Sequence, residues 1–336
     1  MDNNKKSTQG SDFLRNLLMG NKAFLIVLAM SVVLAIMSPV FLKPSNLLNI
    51  VRQVCVSTLL SVGFTIVLSS GHMDLSVGTL LGFSGVILAK LMKDAGLPIP
   101  LAILIVLLLA MACGSLNALI ITVFRVPPFV VTLATQSIFR GANYLISKLV
   151  PIAGLPDAFI YIGQGYMLGI PIPVYIMVSV VLVVWIMMNR TKFGRYILAM
   201  GGNAEAARVS GINIDKMRFG VYMCGGLCTG IAAVVMTARA ASAQIAAGVG
   251  MEMDAIAAVV IGGTAMSGGN ANVWGTLFGC LVVGVVNNGL NLLGVDANWQ
   301  VVAKGMLILL AVIIDTLTAR AQANRLSKQA AIAAGR

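Results

Sequence analysis

Residues able to do chemistry are scarce in this chain, and most of them sit where long apolar runs begin or break. Asp74 stands in GHMDLSVGTLLG, residues 71–82, between two such runs, with Gly71, Gly78 and Gly82 around it. Asp254 stands in MEMDAIAAVVIGG, where the apolar stretch reaches only Ile261 before Gly262 and Gly263. A carboxylate in such a place can accept the free N–H groups of a helix's first turn, or it can meet a polar cargo. For Asp74 the capping role, toward the Leu75–Val77 turn, is favoured over cargo contact. Asn287, Asn288 and Asn291 lie together in VVNNGLNLLG. Amides inside a membrane helix either glue neighbouring helices or line a wet path, and sugar hydroxyls would suit them; both readings stay open.

Other chemistries are poorly served. His72 is the only histidine, and no nucleophile–base set forms around it. Cys55, Cys113, Cys224, Cys228 and Cys280 all fall inside apolar runs, so buried inert thiols are expected and a metal site is not. The glycine-rich tract 262–279 lacks the Gly-Lys-Ser/Thr of a phosphate loop, so no cofactor or nucleotide is expected on this chain. Asp74, Asp254 and Lys304 are the plausible intramembrane charges, each near a helix end. That is too little for a proton relay, which disfavours the alternative of an ion- or proton-coupled secondary sugar carrier.

The elements that must position these residues are apolar almost throughout. Of the 336 residues, 59% are hydrophobic and 10% charged, and the mean hydropathy is +0.96. A soluble domain carries about 25% charged residues, so the chain reads as an all-α integral membrane protein. Continuous runs of helix length exclude a membrane β-barrel, whose strands alternate. A span needs about 20 apolar residues. Ten candidates lie near 23–42, 50–70, 75–92, 98–124, 128–148, 171–189, 217–240, 253–268, 273–294 and 299–318. The first has no small-residue cleavage site and reads as a retained span. The eighth is interrupted: from Asp254 to Ile261 there is only about 12 Å of helix, against a hydrocarbon core of about 30 Å. The pairs Gly78/Gly82, Gly226/Gly230 and Gly275/Gly279 have the spacing that lets helix backbones approach closely.

Ten spans return the chain to its starting side. Most of the 23 basic residues then share that side, in the tail 1–22, between Arg190 and Arg218, and after Arg320. Both termini are therefore expected in the cytoplasm. The transmembrane domain is expected over 23–318, with tails 1–22 and 319–336. The net charge of +12 reads as topology. No basic cluster with interleaved aromatics suggests nucleic acid.

The one long polar stretch between spans, NRTKFGRYILAMGGNAEAARVSGINIDKMRFG over 189–220, is internally punctuated. Asn203 can cap a short helix from Ala204, Gly211 suits its end, and Asn213 can cap the next span. A compact helix between glycines, with an alanine surface at Ala204, Ala206 and Ala207, is suited to docking.

Asp74 and Asp254 also invite comparison as helix-opening carboxylates, each following a methionine and opening a Gly/Ala-rich helix. They would lie in corresponding positions of two halves, spans two to five and seven to ten. Five intervening spans, an odd number, would make those halves inverted repeats, and paired interrupted segments point to a transport path.

Six stretches in order, MDLSVGTLLGFSG, PPFVVTLATQSIFRG, GRYILAMGGNAEAARVSGI, DAIAAVVIGGTAMSGG, VWGTLFG and NNGLNLLGV with WQVVAKGMLILLAVIID, resemble the permease subunits of bacterial ribose-type monosaccharide ABC importers. The resemblance runs from about residue 24 to 318. It implies a vitamin-B12-permease-like fold in the bacterial inner membrane. It also implies a permease dimer working with cytosolic ATPases, which carry ATP and magnesium, and a periplasmic sugar-binding protein. The segment 190–216 would be the coupling loop, with Gly194, Arg195, Gly201, Gly202, Asn203, Glu205, Ala206, Ala207 and Gly211 contacting the ATPase. This chain departs from the family at Gly71-His72-Met73-Asp74, where members usually read Gly-Ile/Thr-Asp, and at Asn270 and Asn272, where they often carry a basic residue.

Overall fold

A computed structural model describes residues 22–317 apart from 297, 311, 314 and 315; the predicted tails 1–22 and 319–336 lie outside the described residues, Lys22 excepted. Helices α1 (Lys22–Met37), α2 (Pro44–Ser69), α3 (Val77–Lys93), α4 (Ile99–Phe124) and α5 (Pro128–Ser147) come first. A short excursion follows, with strand β1 (Ile152–Ala153), helix α6 (Asp157–Gln164) and the hairpin of β2 (Tyr166–Met167) and β3 (Ile170–Pro171). Then come α7 (Ile172–Arg190), α8 (Lys192–Gly202), α9 (Ala204–Val209), α10 (Ile214–Ala240), β4 (Ser242–Ala243), α11 (Met251–Ile261) and α12 (Val273–Leu292). The last is α13 (Asn298–Leu310).

Each predicted span overlaps a helix, but the helices are unequal. Five, α2, α4, α7, α10 and α12, are long and apolar enough to cross a membrane. Helix α5 has the length, 20 residues, but carries too many polar side chains to join them. Helix α11 is 11 residues long, about 16 Å at 1.5 Å per residue, so the span expected over 253–268 is a half-length helix followed by irregular chain. Helices α6 and α8 were not anticipated, because neither is an apolar run.

The break after α11 is built by local chemistry. Gly263 takes φ +87°, its N–H bonds the Val260 carbonyl and the Thr264 N–H bonds the Val259 carbonyl. This paired arrangement satisfies the last carbonyls of the helix. Asn272 then clasps both sides of the gap. Its Oδ1 accepts the Gly275 N–H at the start of α12, and its Nδ2 donates to the Gly262 carbonyl, both at 2.9 Å.

Helix α10, 27 residues long, is the centre of the bundle and packs most extensively on α4, then α2 and α3. Glycines make the approach close. A Cβ on Gly114 would fall on the Tyr222 carbonyl, and one on Gly226 on the Ala110 carbonyl. Asn46 of α2 and Asn288 of α12 exchange reciprocal amide bonds of 3.0 and 2.7 Å. Such an interhelical pair contributes about 1 kcal/mol where no water competes.

The connections gather in two sets. On one side, Gly269 N donates to the Ser69 carbonyl, and Arg218 reaches His72 and Thr122. On the other, β1 pairs with β4 through Ile152–Ala243 and Ala153–Ser242, Lys93 Nζ reaches the Ala153 carbonyl, and Arg52 reaches Gln164.

Candidate coupling segment and helix breaks

The 190–216 segment folds as its punctuation suggests. Thr191 caps α8 by accepting the Gly194 N–H. Asn203 Oδ1 accepts the Ala206 N–H at 2.9 Å to open α9. Gly211, at φ +86°, closes it, with Gly211 N bonding the Arg208 carbonyl and Ile212 N the Ala207 carbonyl. Asn213 Oδ1 caps α10 through Lys216 N. The outer face is formed by Arg195, Gly202, Asn203, Glu205, Ala206 and Gly211, all exposed. Val209, 88% exposed, belongs to that face although its motif did not mark it. Three residues of the expected contact set lie away from that face. Ala207 is only 4% exposed and packs into the core beside Met217. Gly194 is buried, and Gly201 is turned against α2. The face that a helix of six residues buries is decided by what lies beneath it, and here that is the core to which α8 and α10 both contribute.

Gly201 makes the segment's tightest contact. A Cβ there would fall on the Ser69 carbonyl at the end of α2 and lie 2.6 Å from Gly269 N. A Cβ on Gly268 would lie 2.7 Å from Gly71 N and 3.0 Å from the Gly201 carbonyl. The end of α8, the link between α2 and α3, and the break between α11 and α12 thus meet backbone to backbone.

The two aspartates do different things. Asp74 is buried and its Oδ1 accepts both the N–H (2.9 Å) and the hydroxyl of Ser76. Asn117 of α4 donates to that same Ser76 hydroxyl at 3.0 Å. The carboxylate therefore organises the turn ahead of α3, which begins at Val77. Asp254 is in the first turn of α11, behind Glu252, and forms an ion pair of 3.0 Å with Lys304 of α13. Asp74 stands ahead of its helix and Asp254 inside the first turn of α11, and their bonding differs as well. Gly78 lies against the 247–252 segment, where a Cβ would fall on the Gly248 carbonyl and the Glu252 carboxylate.

A scan against protein-family models matches residues 46–312 to the branched-chain amino acid transport system permease component. The chain belongs to this family. Among curated proteins, the permease is 42% identical to the ribose import permease protein RbsC of Bacillus subtilis (strain 168), over 87% of this chain and 91% of that one. It is 40% identical to the ribose import permease protein RbsC of Escherichia coli (strain K12), over 90% and 95%. It is 36% identical to the D-allose transport system permease protein AlsC of the same organism, over 88% and 91%. No solved structure matches the permease. It is a transporter subunit and a multi-pass membrane protein.

The three asparagines of the permease separate in role. Asn288 bonds Asn46, Asn291 Oδ1 accepts from Gln300 at 2.9 Å, and Asn287 lines a small cavity with Asp254 and Lys304. The five cysteines are unpaired. Among the described residues no cluster of histidine, cysteine or acidic side chains could hold a metal. Beside the coupling segment, a polar cleft of about 580 Å³ is lined by His72, Arg125, Arg208, Asp215 and Arg218 among others.

His72 is neutral there. Arg218 Nε donates to its Nε2 (3.4 Å), so Nδ1 carries the proton and faces the Ser70 hydroxyl at 2.9 Å, which itself donates to the Val67 carbonyl. Burial and then the Arg218 charge lower the imidazole from 6.5 to about 4. The unfolded chain binds a proton below about pH 6.5 that the folded chain refuses until about pH 4. The resulting stability is therefore complete above 6.5 and lost as pH falls toward 4, by about 3 kcal/mol at about 1.4 kcal/mol per unit. In detergent, His72→Gln should flatten the fall in thermal stability across this window; an unchanged pH slope would contradict the neutral, buried imidazole.

Proposed function

We propose that this permease is the membrane subunit of an ATP-driven importer that moves a ribose-like monosaccharide into the cytoplasm of a bacterium. The substrate class comes from the sugar named in the relatives above, which match nearly the whole chain. What carries the mechanism is one junction: the α8–α9 segment offers an exposed face to the outside while its Gly201 end rests on both helix breaks. A cytosolic ATPase, holding ATP and magnesium, would bind the face formed by Arg195, Gly202, Asn203, Glu205 and Ala206. Its closure would then shift the 70–76 link and the 262–272 break together. The permease itself would bind no cofactor.

The wider architecture of this reading is ten crossings, both termini cytoplasmic, in two inverted halves of vitamin-B12-permease-like fold. It is supported by the two sets of connections. It is supported too by a repeated pattern of long helix, non-helical link and shorter helix: α2, 70–76 and α3, then α10, 241–250 and α11. A second permease copy, a periplasmic sugar-binding protein and surrounding lipid complete the assembly, and loaded binding protein and ATP would favour different conformations, as driven transport requires. A strain lacking its own ribose permease but retaining the ATPase and binding protein should regain growth on ribose when this chain is expressed. Growth restored on allose but not ribose would move the substrate, and growth on neither would reject the reading.

A further inference from the structure

Helix α5 carries a polar stripe whose hydrogen-bonding capacity its packing satisfies only in part. Thr132, Gln136, Arg140, Asn143 and Ser147 recur every three or four residues and so share one face of a helix. Opposite the middle of that face stands Glu252 in the first turn of α11, 4% exposed. Gln136 Nε2 donates to Glu252 Oε1 at 2.7 Å, and Asn143 Nδ2 donates to the Ile245 carbonyl at 2.8 Å. Yet Glu252 Oε2, Arg140 Nε and Asn143 Oδ1 are all buried without a hydrogen-bond partner. Polar capacity left unmet at membrane depth is costly and marks a route or site for a polar species.

The chemistry fits one kind of cargo. A sugar hydroxyl both donates and accepts, and this cluster offers both capacities: a carboxylate and an amide oxygen to accept, a guanidinium and an amide to donate. A neutral polyol suits it better than a cation or an anion, because the two full charges, on Glu252 and Arg140, are of opposite sign. The surface facing Glu252 from α3 is bare glycine. A Cβ on Gly78 would fall on Glu252 Oε2, and one on Gly82 would fall on the Ala247 carbonyl. The approach at Gly78 and Gly82 is therefore close to the backbone, while Met251 packs against the cluster that holds Val77 and Leu81 of α3.

We propose that the α5 face bearing Gln136, Arg140 and Asn143, opposed to Glu252, is the sugar-lining constriction of the translocation path, closed in this conformation. The assignment to sugar rests on the functional reading above; the assignment to a water-accessible path does not. The test is single cysteine substitution at Gln136, Arg140 and Asn143, and at Leu133, Ile138 and Leu145 on the opposite face of α5. The full permease is assayed in membranes with its ATPase and binding protein, using a charged, water-soluble methanethiosulfonate. Cysteines on the stripe should react about tenfold faster, since a thiol kept in hydrocarbon stays protonated and unreactive. Ribose-loaded binding protein with ATP should change those rates alone. Equal rates on both faces, or labelling confined to Leu133, Ile138 and Leu145, would overturn the path. Co-purification with the ATPase shows that each variant has folded. Should a stripe cysteine fail that check, Glu252→Gln supplies the second readout. Its KM for ribose uptake should rise with ATP hydrolysis retained, and an unchanged KM would reject sugar contact. Labelling of the stripe in a permease that moves no ribose would keep the path and discard the sugar.

Discussion

Gly201→Val is expected to leave the permease inserted in the membrane and bound to its ATPase while uptake falls about tenfold or more. The physical reason is the absence of any space at the end of α8. The first carbon of a side chain at Gly201 falls on the Ser69 carbonyl, which is already receiving the Gly269 N–H at 2.9 Å. Valine must therefore push α8 off α2 and separate it from the 262–272 break. Residues that would touch the ATPase, such as Glu205 and Ala206, lie beyond Asn203 on a helix with its own cap and its own closing turn, so association should survive. A coupling of 1–3 kcal/mol corresponds to roughly 5- to 150-fold in the linked equilibrium, and the junction is the one place where the coupling segment meets both breaks. ATP hydrolysis and uptake measured side by side in proteoliposomes check this. Wild-type uptake would remove the junction from the account, and loss of ATPase binding would make Gly201 a folding residue only.

Gly275→Val is expected to be the most damaging change to stability. Gly275 and Gly279 pack α12 onto α11 so tightly that a Cβ at Gly275 falls on the Gly262 carbonyl and one at Gly279 on the Ala258 carbonyl. The Gly262 carbonyl also receives the Asn272 amide that bridges the break. Neither obstruction is a flexible side chain that could move aside. Forcing atoms into such a contact costs about 3 kcal/mol, and here it would also open the clasp. A large fall in the thermal midpoint of the detergent-solubilised protein is the expected result. Gly141→Ala on α5, where nothing lies within 4 Å of the added carbon, is the control and should be neutral or slightly stabilising. Equal behaviour of the two variants would contradict the packing described.

What could be read ahead of the structure was local. Asn203, Gly211 and Asn213 fix helix ends with atoms a few residues away, so their roles follow from spacing alone. The interruption after Ile261 was legible for the same reason, from Gly262 and Gly263, whereas the Asn272 clasp across it was not. Burial was not legible. Ala204, Ala206 and Ala207 look alike in sequence, and only the core shared by α8 and α10 makes Ala207 the buried one. Glu252 was passed over for Asp254, two residues on, because its partner Gln136 is 116 residues distant and α5 reads first as a hydrophobic run. The stripe of Thr132, Gln136, Arg140, Asn143 and Ser147 was a signal at helical period that could have found it. Likewise nothing near Asp254 in the chain announces Lys304.

The central claim is that ATP, acting through the 190–216 segment, drives a sugar through this chain. Its most direct test is ribose accumulation in proteoliposomes containing the permease, its ATPase and the binding protein, with ATP enclosed on the ATPase side. Accumulation should require hydrolysis and loaded binding protein, and should be indifferent to collapse of the proton gradient. Uptake that persists with an inactivated ATPase, or that follows the proton gradient instead, would contradict the account.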